Sequence, residues 1–250
     1  MGQVLGVNHI GVSVRDLDAA RAFWGVLGFG PHLEFGWPVG SAPADEALAL
    51  TGSAAEVVVL RADRSYLELF AFSAPVPAER PGISPGIAGV DVEVADLASA
   101  LDRLRELGHE VTHDGAGAWT RCPDATPVRV GTGPRTGLAQ VRVRVAEPGS
   151  SPLTGLVGTG GVTLGTEPGG TGAVCSPCDL GANHVCLDVS GIDEVRAGLG
   201  TDVGWHHPVT ASSGGVASVC YGTTRDGVVV ELLESHSPEA ALSRTRLTDG

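Results

Sequence analysis

The sequence predicts an α+β chain built from repeats of one unit: a strand, a helix, then two or three further strands. Three observations carry this. One strand–turn–helix pattern recurs three times along the chain. Its strands alternate apolar and other residues at period two, the mark of a half-buried strand. The chain has 37 Gly and 16 Pro in 250 residues and only 4% aromatics; many short strands and tight turns use such a composition, and long helical bundles do not.

The first copy opens with Val7-Asn8-His9-Ile10-Gly11-Val12-Ser13-Val14, turns at Asp16, and runs into an amphipathic helix ending near Leu27. Strands at 55–61 and 65–72 then form a hairpin around Ala62-Asp63-Arg64. The second copy opens at Ile87–Val94, turns at Asp96 and has its helix to Leu107. Its closing strands, 127–131 and 138–146, are expected to form a hairpin across Gly133–Gly137. The third opens at Ala182–Val189, turns at Gly191 and has a shorter helix to Leu199. Strands at 216–222 and 228–234 flank Arg225-Asp226-Gly227. Gly28, Gly108 and Gly200 are placed as helix C-terminal stops. The stretch 147–181 is rich in Gly, Pro, Ser and Thr, and reads as a linker, a lid, or a fourth copy without its helix. After Ser237 a frayed terminal helix is expected.

The charge balance removes several function classes. All 16 cations are arginine against 29 Asp and Glu, a net charge of -13. Without lysine there is no Schiff-base chemistry. The negative balance argues against nucleic acid and against an anionic membrane surface. No apolar run reaches the roughly 18 residues of a membrane-spanning helix, and no signal peptide is visible. Five cysteines are not a disulfide framework, which points to a reducing, cytoplasmic setting.

Alternation decides which side chains are available for chemistry. In the first strand Ile10, Val12 and Val14 share the face beneath the helix, and His9 points the other way. Val185, Leu187 and Val189 repeat this in the third copy, with His184, Cys186 and Asp188 opposite. The closing strands each set a glutamate among apolar neighbours: Glu68 in Tyr66–Phe70 and Glu231 in Val229–Leu233. A carboxylate there needs a partner or a cation, because burying it alone is costly. Two units thus each offer one His and one Glu to a shared cavity. His9, Glu68, His184 and Glu231 suit a divalent metal such as Zn, Ni, Fe, Mn or Co; the alternative is an arginine-paired carboxylate.

Asn8–Leu17 with Phe23-Trp24-Gly25-Val26-Leu27-Gly28-Phe29 resembles the opening of a vicinal oxygen chelate protein, the glyoxalase, bleomycin-resistance and extradiol-dioxygenase superfamily. Asn183-His184-Val185, with Tyr221 and Thr224–Leu232, resembles its closing half. The resemblance implies βαβββ modules forming cupped mixed sheets around a metal held by His9, Glu68, His184 and Glu231. It divides the chain into a first module (1–75), a second without ligands (86–147), a degenerate Gly/Pro-rich segment (148–180), a last module (181–237) and a tail (238–250). The middle copy departs from the pattern, with Gly89 where the histidine should be and Arg142 and Arg144 in place of a glutamate. Either the modules pair in chain order, or the first and last pair around the metal, within one chain or across a homodimer.

The function this resemblance implies is a metal-dependent glyoxalase-like lyase or isomerase that chelates vicinal oxygens of a small molecule, with Glu68 or Glu231 as base. The alternatives are a ring-cleaving dioxygenase and a metal-free binding protein of the bleomycin-resistance type. Trp37, Tyr66, Phe70 and Trp205 would line the cup, with Phe35 joining them in the metal-free case; His206, His207 and Arg144 are further candidates for substrate contact. Cys175-Ser176-Pro177-Cys178 is read as a loop, since neither a second pair nor a thioredoxin-like context accompanies it.

Overall fold

Strand pairing sorts the repeats into two sheets, and not in chain order. The computed structural model describes residues 2–80, 84–154, 161–170, 174–212 and 215–247. The first unit comprises β1 (Gln3–Ser13), α1 (Leu17–Val26), β2 (Gly30–Trp37), α2 (Ala42–Leu48), β3 (Ala54–Arg61) and β4 (Tyr66–Ala74). The middle unit comprises β5 (Gly86–Val94), α3 (Leu97–Glu106), β6 (Thr112–His113), β7 (Ala118–Arg121) and β8 (Pro127–Thr132). Two strands follow, β9 (Gly137–Val145) and β10 (Thr163–Pro168). The last unit comprises β11 (Gly181–Ser190), α4 (Ile192–Leu199), β12 (Val203–Trp205), β13 (Thr210–Ala211), β14 (Ala217–Thr224) and β15 (Val229–Ser235).

The first and last units share one nine-stranded sheet, ordered β12-β14-β15-β11-β1-β4-β3-β2, with β13 on β14. Its seam is the antiparallel pair β1–β11. Within each unit the first strand runs parallel to the last, β1 with β4 and β11 with β15. The other sheet has six strands, β10-β9-β5-β8-β7-β6. The pairing of first and last modules is therefore made within a single chain.

The expected hairpin between 127–131 and 138–146 does not form. β8 lies parallel on one side of β5, and β9 antiparallel on the other. β5 is apolar and buried at Val90, Val92 and Val94, so both its edges are filled, and the 133–137 loop crosses its end. That loop is held from outside: the Asp63 carboxylate accepts from the Thr136 N–H at 2.9 Å and its hydroxyl at 3.0 Å. β9 stands to β5 as β11 stands to β1, and β10 is parallel to β9 as β15 is to β11. β9 and β10 are thus arranged as the first and last strands of a reduced fourth unit, beginning before the Gly/Pro-rich stretch.

Local chemistry explains the helices. Asp16 caps α1, accepting from the N–H groups of Asp18 and Ala19, and Asp96 caps α3 through Ser99, each cap contributing about 1 kcal/mol. Gly191 has no side chain to cap α4. Glu234 of β15 substitutes, its carboxylate accepting from the N–H groups of Gly191 at 2.6 Å and Ile192 at 3.1 Å. Ile10, Val12 and Val14 bury against Phe23 and Trp24 of α1, and the helix-bearing faces of both sheets join one continuous core. The opposite faces are left for function.

The tail is not a frayed helix. Residues 236–247 form turns and one 3-10 turn, Arg244–Arg246, laid across the open face of the first sheet. Side chains of the cup recruit its carbonyls: Asn8 Nδ2 donates to Leu242 O and Tyr66 Oη to Ser243 O, both at 2.9 Å.

Candidate metal centre

The seam places the two histidines. β1 and β11 run antiparallel, with Gly11 opposite His184 and His9 opposite Cys186. Both imidazoles are fully buried, and their Nε2 atoms face each other at 3.3 Å. Gly11 makes this approach possible, since a Cβ there would lie 2.3 Å from the His184 ring. β4 and β15 flank the seam and bring in the carboxylates, Glu68 opposite Gly11 and Glu231 opposite Cys186. Glu231 Oε2 lies 3.1 Å from His9 Nε2 and 3.5 Å from His184 Nε2. Glu68 Oε2 lies 3.5 Å and 3.9 Å from the same atoms.

The hydrogen bonds behind the histidines settle their tautomers. Asn8 Nδ2 donates to the Asp188 carboxylate at 2.9 and 3.0 Å and to the Leu242 carbonyl, so its Oδ1 is an acceptor. That oxygen lies 2.9 Å from His9 Nδ1, which must therefore carry the proton. Asn183 repeats the device: Nδ2 donates to Ser13 Oγ at 2.8 Å, and Oδ1 faces His184 Nδ1 at 2.7 Å. Ser13 passes its own proton to Pro177 O at 2.7 Å. With both Nδ1 atoms protonated, both Nε2 atoms of the neutral rings present lone pairs.

Four acceptor atoms thus converge, and a single cation between them satisfies all four. A proton on His9 Nε2 is one answer: burial opposes it, but Glu68 and Glu231 push the His9 pKa up to about 10. Burial would raise Glu231, yet His184 and His9 hold it well below the usual carboxylate range. The proton is an incomplete answer. Glu231 Oε2 is buried and takes no hydrogen bond despite its closeness to His9, and the His184 lone pair still faces its neighbour. Ligand atoms at ~2.1 Å from one metal lie roughly 3.0 Å apart at right angles and roughly 3.4 Å apart at a tetrahedral angle. Four of the separations, 3.1–3.5 Å, lie in or close to that range and the Glu68–His184 one, 3.9 Å, lies beyond it, so the residues fit a divalent metal with Glu68 as the most distant ligand.

Around this centre Tyr221, opposite Glu231 in the β14–β15 pair, has its phenol pushed well up by burial, then by Glu231 and Glu68. Burial and the same carboxylates raise the Cys186 thiol. Both stay protonated near neutral pH. Among the described residues the groups able to hold a metal are His9–Glu68–His184 and His9–Cys186–Glu231, which overlap here. Among the described residues the second sheet has no counterpart. At Gly89, the position equivalent to His9, the Arg142 guanidinium lies 2.5 Å from where a Cβ would be; it pairs with Asp91 at 3.0 Å and stacks on Trp119 at 4.3 Å.

The remaining candidates separate. Phe70 stacks on Phe72 and meets Trp37 and His184 edge-on, so it walls the site; Trp37 lies behind it, its indole donating to Ser53 Oγ at 3.0 Å. Tyr66 is buried under the tail. Phe35 stands at the cavity mouth. Trp205 lies on the helix side, packed on the core with Arg196 over its ring at 5.2 Å, because β12 turns its opposite face to the cup. Arg144 belongs to the other sheet and pairs with Glu167 at 2.9 Å. His206 bridges Ala47 O and Thr223 Oγ1, each at 2.8 Å. His207 accepts from the Tyr221 N–H at 3.3 Å and donates to Pro208 O at 2.6 Å. Trp205 and Arg144 thus stand away from the cluster, and both nitrogens of each loop histidine are engaged within the fold. Asn8, Asn183 and Ser13 were not anticipated as site residues, although an asparagine precedes both histidines; Tyr221 entered only through the resemblance.

The family model of the Glyoxalase/Bleomycin resistance protein/Dioxygenase superfamily matches residues 8–122. No curated protein matches the sequence. Among solved structures the chain is similar to a putative dioxygenase from Bacillus subtilis, at 12% identity over 99% of this chain and 91% of that one, TM-score 0.66. It is similar to glyoxalase I from Zea mays, at 13% identity over 94% and 92%, TM-score 0.60. A third is the cppA protein from Streptococcus pneumoniae, at 13% identity over 93% and 98%, TM-score 0.59. At such identities the structural likeness is one of fold. Residues 8–122 thus match the model of the Glyoxalase/Bleomycin resistance protein/Dioxygenase superfamily, and nearly the whole chain has a fold like that of these structures.

Proposed function

We propose that the protein is a metal-dependent enzyme of the lyase or isomerase type, acting on a small molecule with two vicinal oxygens. The observation that carries this is the set of four converging acceptors, two of them histidine nitrogens locked with their lone pairs inward. His9, His184, Glu231 and Glu68 would hold the ion, which when bound supplies Lewis-acid polarisation of the substrate oxygens.

The chain's own residues divide the remaining work. Asn8 and Asn183 orient the imidazoles. Glu231 sits nearer both histidines than Glu68 does, so Glu231 is the anchor. Glu68, more loosely placed and bordering the cavity, is the group to take up and return a proton at Oε2. Tyr221, kept as the phenol, can donate to a substrate oxygen. Leu33, Phe35 and the tail limit water entry.

Elemental analysis of protein purified without chelator tests the reading. About one divalent first-row metal per chain is expected. No metal, with no uptake on titration, would favour the metal-free binding alternative.

A further inference from the structure

The cup formed by the first sheet is long, but the chain fills both of its ends. At one end α2 delivers Leu48 onto Phe70 and Phe72, with Cys178 beside them. At the other the tail lays Leu247 on Val59 and Tyr66, and Leu242 on Leu233 and Cys186. What remains is a cavity of about 240 Å³ above Glu68 and Glu231, smaller than the roughly 300–1,000 Å³ of drug-sized ligand sites. Leu33, Phe35, Val216, Val219 and Leu242 make its wall predominantly apolar, and among the described residues the two glutamates are its only charged members. No arginine is among the described lining residues: Arg144 pairs with Glu167 in the second sheet, and Arg244 of the tail turns to Asp188 at 3.5 Å.

From this we infer the substrate class of the site, an inference that rests on the metal-centre reading. The substrate is a small, uncharged compound with vicinal oxygens and an apolar body. Two carboxylates and one divalent ion sum to zero charge, so an uncharged ligand leaves the cavity neutral. A carboxylate on the ligand would be buried with no cation to meet it, which is unfavourable in a low-dielectric space. A tripeptide thiol adduct fails twice, because its ends are charged and because the tail and α2 occupy the space it would need. Glutathione-type substrates are therefore excluded from this site.

The test uses the full chain loaded with Co²⁺, whose visible spectrum changes when a ligand chelates the ion. Catechol and 3,4-dihydroxybenzoate present the same two oxygens and differ by one carboxylate. Each affinity is normalised to the compound's affinity for Co²⁺ in buffer. Catechol should bind at least ~10-fold more tightly than the acid. Phe35 is 46% exposed at the mouth, so Phe35→Arg should fold, and it should narrow the catechol-to-acid affinity ratio at least ~5-fold. Equal or tighter binding of the acid by the unaltered chain overturns the inference and leaves the metal centre standing. Failure to take up Co²⁺ overturns the metal centre, and this inference with it.

Discussion

Asn183→Ala isolates the tautomer argument on which the metal centre rests. The substitution removes the only acceptor shown for His184 Nδ1, at 2.7 Å, and the donor to Ser13 Oγ, at 2.8 Å. The imidazole can then rotate or shift its proton to Nε2, where the proton competes with a metal. Loss of such an orienting partner costs about 10–100-fold in metal affinity, or about 1.4–2.7 kcal/mol. The metal-free fold loses two buried hydrogen bonds at about 1 kcal/mol each, and leaves the ring N–H to find water. Competition with a chromophoric chelator reads the affinity, and urea unfolding of the metal-free protein reads the fold. Ser13→Ala is the control: it cuts the same chain one link further out but keeps Asn183 Oδ1 on the ring, so its affinity should fall less than ~3-fold. If Asn183→Ala binds metal within twofold of the unaltered protein while folded, the asparagine does not set the tautomer and the reasoning is refuted.

His9→Ala and His184→Ala should each abolish stoichiometric metal uptake while circular dichroism stays near native, since both side chains lie opposite the helix-packed core; full metal content in either variant would remove that histidine from the ligand set. Glu68→Gln should keep most of the metal and lower turnover by about 10²–10⁴-fold, the range for loss of a general base, whereas Glu231→Gln should lose metal first; the reverse order would exchange their roles. Asp124 supplies a pH test of the fold. Burial lifts its pKa to about 6 against the opposing Arg15 N–H bond and charge, from an ordinary 3.8. Between those values the folded state holds more protons than the unfolded one, so stability falls as pH rises from about 4 to about 6. Asp124→Asn keeps an acceptor for the Arg15 N–H, at 2.9 Å in the unaltered protein, and should remove this slope; parallel urea midpoints for the two proteins at pH 4.5 and pH 7 would refute the assignment.

Local chemistry made much of this protein legible in its residues alone. The period-two alternation in Ile10–Val14 and Val185–Val189 assigned helix-packed and open faces, because a strand's side chains can only alternate. Asp16 and Asp96 marked the turns into their helices, and the structure shows each capping the first free N–H groups. The paired His and Glu in matching registers pointed to a shared cavity, because carboxylates in apolar strands need a cation. Other features depended on contacts distant in sequence. β9 left its expected hairpin for the far edge of β5, where an apolar strand needed cover on both sides. Glu234 caps α4 from another strand. The tail gave up helical hydrogen bonds for those offered by Asn8 and Tyr66. Arg144 and Trp205 are ordinary candidates in one dimension, and only the division into two sheets and the facing of β12 removed them from the cup. The direction of both imidazole lone pairs was decided last of all, since a tautomer depends on what lies behind the ring, and here that includes Asp188, Leu242 and Pro177.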